Sequence, residues 1–274
     1  FYTEARYKGT KSVVVSPDYA EATKFADLWL HPKQGTDAAL ALAIGHVILR
    51  EYYLDRTVPY FEDYARRYTD LPMLVRLVRK GDAFIPERLL RADDFADNLG
   101  EANNAAWKTM AFDQDDQPVV PLGSVGFRWG QQGKWNLEAK ESTGREVALK
   151  LTLAADKQTA RVNFPYFGGA ATNGFKATDH ADVLTRNIPV RTLPLKDGDT
   201  LVVTVFDLMC ANYGLDRGLG GDNVARDYNE DEPFTPAWAE NITGVPREHI
   251  IHVAREFATN AEKTNGRSMV ILGA

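Results

Sequence analysis

Residues 11–37 read KSVVVSPDYAEATKFADLWLHPKQGTD and decide the fold class. The three valines Val13 to Val15 are typical of a strand that is covered on both faces, as in a parallel sheet. A short helix over 21–28 and a second short strand over 27–31 are expected to follow. Gly35-Thr36-Asp37 then opens a helix to about residue 53, with Thr36 or Asp37 as its N-cap. This order of elements predicts an α/β fold with a parallel sheet.

The remaining chain divides into parts with two different sequence patterns. Two helices are expected over 58–68 and 71–80, and residues 81–185 then carry many turn and charged residues with short alternating runs. We interpret 81–185 as a β-rich, irregular insertion into an α/β unit formed by 1–80 and 186–274. The α/β pattern returns in the second half, and its elements are predicted as strands over 189–195 and 200–206, helices over 207–213, from Thr235-Pro236 and from about 245 to 262, and a last strand over 268–272.

Composition excludes several classes of protein. The chain has 274 residues, a formal net charge of −6 and a single cysteine, Cys210. No intramolecular disulfide and no cysteine-only metal site can form from it. The acidic balance disfavours a nucleic-acid partner. No apolar run approaches the ~20 residues of a membrane span, so no direct membrane span is expected.

Two short motifs are candidates for ligand binding. Ser16-Pro17-Asp18-Tyr19 follows the first strand, and ligands of open parallel sheets bind outside the carboxyl ends of the strands. A carboxylate such as Asp18 accepts two hydrogen bonds from a guanine edge or a ribose diol. Lys33-Gln34-Gly35-Thr36-Asp37 lies at a helix start, where free N–H groups and Lys33 suit a phosphate. The alternatives are an ordinary Pro-Asp turn and an ordinary helix cap.

Other candidate sites are weaker. His249 and His252 have a helical spacing that can bind metal, but their apolar neighbours indicate a packed helix face. The acidic cluster of Asp113, Asp115 and Asp116 lacks the glycine and glutamate of a calcium loop. No G-x-G-x-x-G, P-loop or G-x-S-x-G motif is present. These patterns therefore indicate neither a metal site nor a hydrolase triad.

Longer stretches resemble one family. They are residues 7–11 (YKGTK), 16–20 (SPDYA), 27–30 (DLWL), 32–39 (PKQGTDAA), 126–130 (GFRWG), 164–169 (FPYFGG), 236–240 (PAWAE) and 242–245 (ITGV). Across essentially the whole chain, the sequence is similar to catalytic (alpha) subunits of respiratory nitrate reductases. These belong to the molybdopterin oxidoreductases, also called the DMSO reductase family.

The resemblance implies a function for the longer enzyme. Members carry molybdenum bis(molybdopterin guanine dinucleotide) and an N-terminal iron–sulfur cluster, and they reduce nitrate to nitrite by oxygen-atom transfer at molybdenum. Their electrons come from an iron–sulfur beta subunit and a membrane quinol-oxidising subunit, which implies a cytoplasmic, membrane-associated location. This chain then corresponds to an internal fragment, mainly one Rossmann-like dinucleotide-binding domain. The ligands of molybdenum and of the cluster lie outside it, so the fragment alone is expected to be inactive.

The resemblance also assigns a binding site. It implies that Ser16, Pro17, Asp18, Tyr19 and Ala20 contact a guanine dinucleotide arm. The same holds for Gly35, Thr36 and Asp37, to which the motif analysis adds Lys33. Two alternatives stay open: a free-standing, non-catalytic nucleotide- or partner-binding module, and a related molybdenum oxidoreductase that acts on chlorate, selenate or a hydrocarbon.

Overall fold

The structure is a computed structural model that describes residues 2–19, 21–121, 140–141, 143–165 and 183–272. Its helices are α1 (Tyr2–Tyr7), α2 (Asp37–Leu49), α3 (Pro59–Tyr68), α4 (Val205–Asn212), α5 (Pro236–Thr243) and α6 (Arg247–Thr264). A π-helical turn, Arg50–Leu54, continues α2. The strands are β1 (Val13–Val15), β2 (Leu28–Leu30), β3 (Leu74–Lys80), β4 (Ala83–Leu89), β5 (Ala111–Phe112), β6 (Pro118–Val119), β7 (Thr159–Pro165), β8 (Val183–Pro189), β9 (Arg191–Leu195) and β10 (Gly198–Thr204).

The first two strands form the parallel pair that their sequence predicts. Val13 lies opposite Leu28 and Val15 lies opposite Leu30. Helix α2 follows β2 and packs against α5 and α6. A small apolar core joins these elements, and its buried members are Leu30, Leu40, Ala43, Ala239, Val245 and Ile250.

The prediction that β1 is covered on both faces is wrong for the residues that the structure describes. Val13 and Val15 are 37% and 46% exposed. The physical reason is that β1 pairs with β2 and with no other strand in the described ranges. Three valines in a row give a chain the tendency to form a strand, but the coverage of that strand depends on neighbours far away in sequence.

The larger sheet corrects the expected topology. Six strands lie in the order β8-β7-β4-β3-β10-β9, and of these neighbours only β4 and β7 are parallel. The α/β class is confirmed, but the described chain contains a mixed six-stranded sheet, and among its named strands only β1–β2 and β4–β7 are parallel pairs. The helix expected over 71–80 is wrong, because this segment forms β3.

The six-stranded sheet crosses the boundaries that the sequence suggested. Strand β3 precedes residue 81, β4 and β7 lie within 81–185, and the last two strands follow 185. The strands predicted over 189–195 and 200–206 are confirmed as β9 and β10. Buried side chains of the sheet form two apolar clusters, one on each side of it. The division into 1–80, 81–185 and 186–274 stays a prediction.

The second half also contains the expected helices. Thr235 caps α5 by accepting a hydrogen bond from the Trp238 N–H at 3.1 Å, as predicted, and α6 occupies the expected segment. The strand expected over 268–272 is wrong for the described chain. This segment has no strand partner there, and its apolar side chains, Met269 to Leu272, are exposed. Within the described ranges, no helix combines the length and the apolar character needed to cross a bilayer.

Candidate functional site

The turn after β1 holds Asp18 at the surface. The Ser16 N–H donates to the Leu30 carbonyl at 3.1 Å and so extends the strand pairing by one residue. The Ser16 hydroxyl donates to the Asp18 carbonyl at 2.9 Å and accepts from the Asp18 N–H at 3.3 Å. Both bonds use backbone groups of Asp18. Its exposed carboxylate has no hydrogen-bond partner among the residues described here.

The turn after β2 is built around Gly35. The Thr36 N–H donates to the Lys33 carbonyl at 3.2 Å, and Gly35 has a φ of +77° at the third position of this four-residue turn. A positive φ at that position is the signature of a type II turn, which favours glycine. No heavy atom lies within 4 Å of the place where a Gly35 Cβ would stand. The backbone of Gly35 is therefore open to a ligand.

The predicted side-chain caps of α2 are not formed. The Thr36 hydroxyl donates to the Lys33 carbonyl at 2.5 Å, and no side chain accepts from the first turn of the helix. The hydroxyl is used to close the preceding turn, which is a local alternative that threonine commonly adopts. The N-terminus of this 13-residue helix thus keeps free N–H groups and its partial positive charge.

The two turns lie on one edge. Because β1 and β2 are parallel and in register, their carboxyl ends coincide, and each turn follows one of these ends. The backbone of Lys33 is fixed from the other side, since its N–H donates to the Thr243 carbonyl at 2.9 Å. The structure therefore brings Ser16, Pro17, Asp18 and Tyr19 to the same edge as Lys33, Gly35, Thr36 and Asp37. Ala20 lies outside the described residues.

Charged residues at the opposite end of the strands are paired. Asp27 accepts from the Ser12 N–H at 2.7 Å and from Arg6 at 2.8 Å, and these bonds hold the pKa of Asp27 below its usual range. Lys11 and Glu256 form an ion pair at 2.7 Å, which lowers the pKa of Glu256. At the carboxyl edge, by contrast, Asp18, Lys33 and Asp37 have no ion-pair partner in the described part of the chain.

Sequence reasoning missed an aromatic cluster at this edge. The Tyr19 and Trp29 rings meet edge to face with centroids 5.4 Å apart, and the Trp29 and His31 rings lie 5.0 Å apart. The available signal was the alternation of β2, which sends Leu28 and Leu30 to one face and Trp29 to the other.

No metal centre is visible in the described ranges, where no three His, Cys, Asp or Glu side chains lie together in a suitable group. His252 instead faces Glu256 at 3.6 Å. His46 of α2 is fully buried, and its Nδ1 lies 2.9 Å from the Tyr213 carbonyl. Burial lowers the pKa of His46 to about 4, so this ring is neutral at physiological pH and has a structural role.

Comparison with known proteins connects the chain with one family. The family model described as molybdopterin oxidoreductase matches residues 1–274. Over 277 residues, the chain is 56% identical to the respiratory nitrate reductase 1 alpha chain of Escherichia coli and 42% identical to the nitrate reductase alpha chain of Bacillus subtilis. It is 29% identical over 276 residues to the perchlorate reductase subunit alpha of Dechloromonas aromatica. Each match covers 100% of this chain and 22% of the relative, so the chain spans about a fifth of their length.

Proposed function

The chain belongs to the molybdopterin oxidoreductase family, and from this premise we propose that it is a segment of the catalytic subunit of a respiratory nitrate reductase. In that enzyme the edge formed by residues 16–20 and 33–37 holds a guanine dinucleotide arm of the molybdenum cofactor. The higher identity to nitrate reductases than to perchlorate reductase supports nitrate as the substrate.

One observation carries the binding site. Asp18, Lys33 and Asp37 lie at the carboxyl edge of two parallel strands without ion-pair partners in the described chain, whereas Lys11 and Asp27 at the opposite end form ion pairs with Glu256 and Arg6. Charged side chains that the fold does not use are available to a ligand. Open α/β sheets bind ligands at this edge.

The residues fit the chemistry of a guanine dinucleotide. The Asp18 carboxylate has two acceptor oxygens that match the N1–H and 2-amino donors of guanine. The open backbone at Gly35, the free N–H groups of α2 and the Lys33 ammonium suit phosphate groups. Asp37 repels phosphate, so we assign it to an amino group of the ligand or to the helix dipole.

The chain's own contribution is to bind and orient. When bound, the cofactor supplies oxygen-atom transfer between nitrate and molybdenum. The residues at the edge fix the nucleotide and thereby set the position of the attached pterin. We assign the ligands of molybdenum and of an iron–sulfur cluster to other parts of the longer protein, and we expect residues 1–274 alone to have no nitrate reductase activity.

The wider assignment follows from the same relatives. We propose that the parent catalytic subunit carries the bis(molybdopterin guanine dinucleotide) form of the cofactor. It receives electrons from an iron–sulfur beta subunit and a membrane subunit that oxidises quinol. These partners attach the parent to the cytoplasmic face of the membrane, although the described part of this chain has no membrane-spanning helix.

The test is the cofactor content of the full-length catalytic subunit with Asp18→Ala. Guanine donors left without their acceptor cost about 1–3 kcal/mol, so molybdenum and releasable GMP per polypeptide should fall while the circular dichroism spectrum is unchanged. Asp82→Ala is the matched control, because Asp82 is an 81% exposed carboxylate in the turn between β3 and β4 and pairs only at the surface with Arg161. Wild-type cofactor content in Asp18→Ala would contradict the proposed site.

The substrate is tested separately on the intact enzyme. With a viologen as electron donor, we expect a higher kcat/KM for nitrate than for perchlorate or chlorate. The reverse preference would assign the parent to the branch represented by the perchlorate reductase relative. Detectable nitrate reduction by purified residues 1–274 mixed with cofactor would contradict the proposed division of labour.

A further inference from the structure

Three aromatic side chains, Tyr19, Trp29 and His31, form a surface next to the two turns of the site, and we call it the aromatic shelf. The rings are in contact in the order Tyr19, Trp29, His31, with centroid separations of 5.4 Å and 5.0 Å. Tyr19 is 62% exposed and His31 is also exposed. Two exposed rings and the half-buried Trp29 thus lie beside charges that have no partner in the described chain, which is more than the fold itself requires.

The strand geometry separates the aromatic shelf from the apolar core. Side chains alternate along β2, so Trp29 and His31 share one face. Leu28 and Leu30 point to the other face, where they join the core under α2. The shelf is therefore not part of the packing that holds α2, α5 and α6 to the strands.

A hydrogen bond ties the aromatic shelf to the first turn. The Trp29 indole N–H donates to the Ser16 carbonyl at 2.9 Å. Ser16 is also the residue whose hydroxyl orders the backbone of Asp18. The ring that forms the centre of the shelf and the carboxylate that presents two acceptors are thus held by the same residue.

The combination specifies the chemistry of the occupant. Aromatic faces favour a planar, π-rich group, and a neighbouring carboxylate favours a group with N–H donors at its edge. The Lys33 ammonium and the N-terminus of α2 favour an attached phosphate. A purine nucleotide with an amide-type edge has all three properties, whereas an aliphatic chain or a packed protein segment does not use the charges.

We infer that the aromatic shelf stacks on the face of the guanine base whose donor edge is bound by Asp18. This inference rests on the proposed function and adds Trp29 and His31 to the binding site. It makes guanine selection a two-part recognition: the shelf binds any purine face, and Asp18 distinguishes guanine from adenine by its N1–H and amino donors. His31 extends the shelf in the direction of the second turn.

The experiment measures GMP binding to the full-length catalytic subunit, produced without cofactor in a host that cannot make molybdopterin. Stacking of one base on an aromatic ring contributes about 1–3 kcal/mol, so Trp29→Leu should raise the Kd for GMP about tenfold or more. Trp29→Phe keeps a ring but loses the bond to Ser16, and its Kd should stay within about threefold of wild type. Trp107→Leu removes a 66% exposed indole elsewhere and should have no effect.

Ribose 5-phosphate is the matched ligand without a base. Its affinity should be the same for wild type and Trp29→Leu, because only the base contacts the aromatic shelf. An equal loss of affinity for both ligands, or an equal loss in Trp29→Phe and Trp29→Leu, would overturn stacking and leave Trp29 with a purely structural role.

Asp18→Asn separates failure of the shelf from failure of the proposed function. If Asp18→Asn weakens GMP binding and Trp29→Leu does not, the binding site stands and the aromatic shelf is overturned. If the wild-type protein does not bind GMP, or if neither variant changes the affinity, the proposed function and the shelf are both overturned. AMP should bind more weakly than GMP to the wild-type protein. In Asp18→Asn, GMP and AMP should bind with the same low affinity.

Discussion

Asp18 and Asp207 show how differently two regions of this molecule use an acidic side chain. Asp207 lies in the first turn of α4, beside the six-stranded sheet, and is fully buried. Its carboxylate accepts from the Thr152 and Thr204 hydroxyls at 2.5 and 2.8 Å and from the Leu153 N–H at 2.7 Å, and it pairs with Arg217 at 2.8 Å. Asp18 at the β1–β2 edge has none of these contacts in the described chain.

The difference separates residues that hold the fold from residues that are available to a ligand. A buried carboxylate must be fully hydrogen-bonded, because an unpaired charge in the interior has a high free energy. An exposed carboxylate needs no partner in the protein. The six-stranded sheet is therefore the structural region, and the edge of the parallel pair is the candidate functional region.

The largest expected effect would come from Asp207→Ala. This change leaves Arg217, which is only 10% exposed, without its carboxylate. Removing one partner of a buried ion pair destabilises a fold by about 3–5 kcal/mol. We expect a lower urea midpoint for residues 1–274, followed by tryptophan fluorescence, whereas Asp18→Ala should leave the midpoint unchanged. Equal midpoints for the two variants would show that Asp207 does not hold the fold more than Asp18 does.

The next effect is a loss of stability in acid through His46, which connects α2 with the loop after α4. Its pKa is lowered from 6.5 to about 4, because burial disfavours the charged ring. The unfolded chain thus takes up the proton first. The contribution of neutral His46 to the free energy of unfolding, about 3 kcal/mol, is complete above pH 6.5 and is lost as the pH falls towards 4.

The measurement is the urea midpoint between pH 7.5 and 4 for wild type and His46→Gln. The glutamine variant should lose the part of the pH dependence that His46 causes. His252→Gln is the control, since His252 is more than half exposed. A wild-type pH profile in His46→Gln would show that this ring does not connect the two regions.

Alanine substitution at two glycines of similar geometry should give the smallest effect. Gly35 and Gly81 have φ values of +77° and +67°, and neither position has a heavy atom within 4 Å of an added Cβ. Alanine at either position costs about 1–2 kcal/mol of backbone strain. We expect Gly35→Ala and Gly81→Ala to lower the urea midpoint equally, but only Gly35→Ala to reduce the cofactor content of the full-length subunit.

Local signals explain the parts of the structure that the sequence predicts correctly. The turn at Gly35, the start of α2 and the cap at Thr235 each depend on a few neighbouring residues. The position of the candidate edge follows from the same signals, since two short strands joined by a crossing segment predict a parallel pair. The helix expected over 21–28 is wrong, because that segment forms only a 3-10 turn, Thr23–Phe25. The contacts of residues 16–20 and 33–37 with a ligand stay a prediction.

The errors come from strand pairing. Residues 71–80 contain apolar residues at spacings that suit a helix or a strand, and the strand is fixed by β4, across the turn at 81–82, and by the distant β10. The exposure of Val13 and Val15 likewise depends on which strands lie beside β1. The sequence indicates Trp29 only as part of a strand, because the folded chain is needed to bring Tyr19 and His31 against its ring.

The pairing of β3 with β10 also has a consequence for synthesis on the ribosome. Arg76 cannot pair with Val202 until Val202 has emerged from the exit tunnel, whereas β1 and β2 are complete soon after residue 30 has emerged. Contacts between distant residues form slowly because a long loop must close first. The nascent chain therefore forms the candidate edge early. One side of β3 stays without its partner β10 until residues 198–204 have emerged, which leaves that side open to a chaperone during this interval.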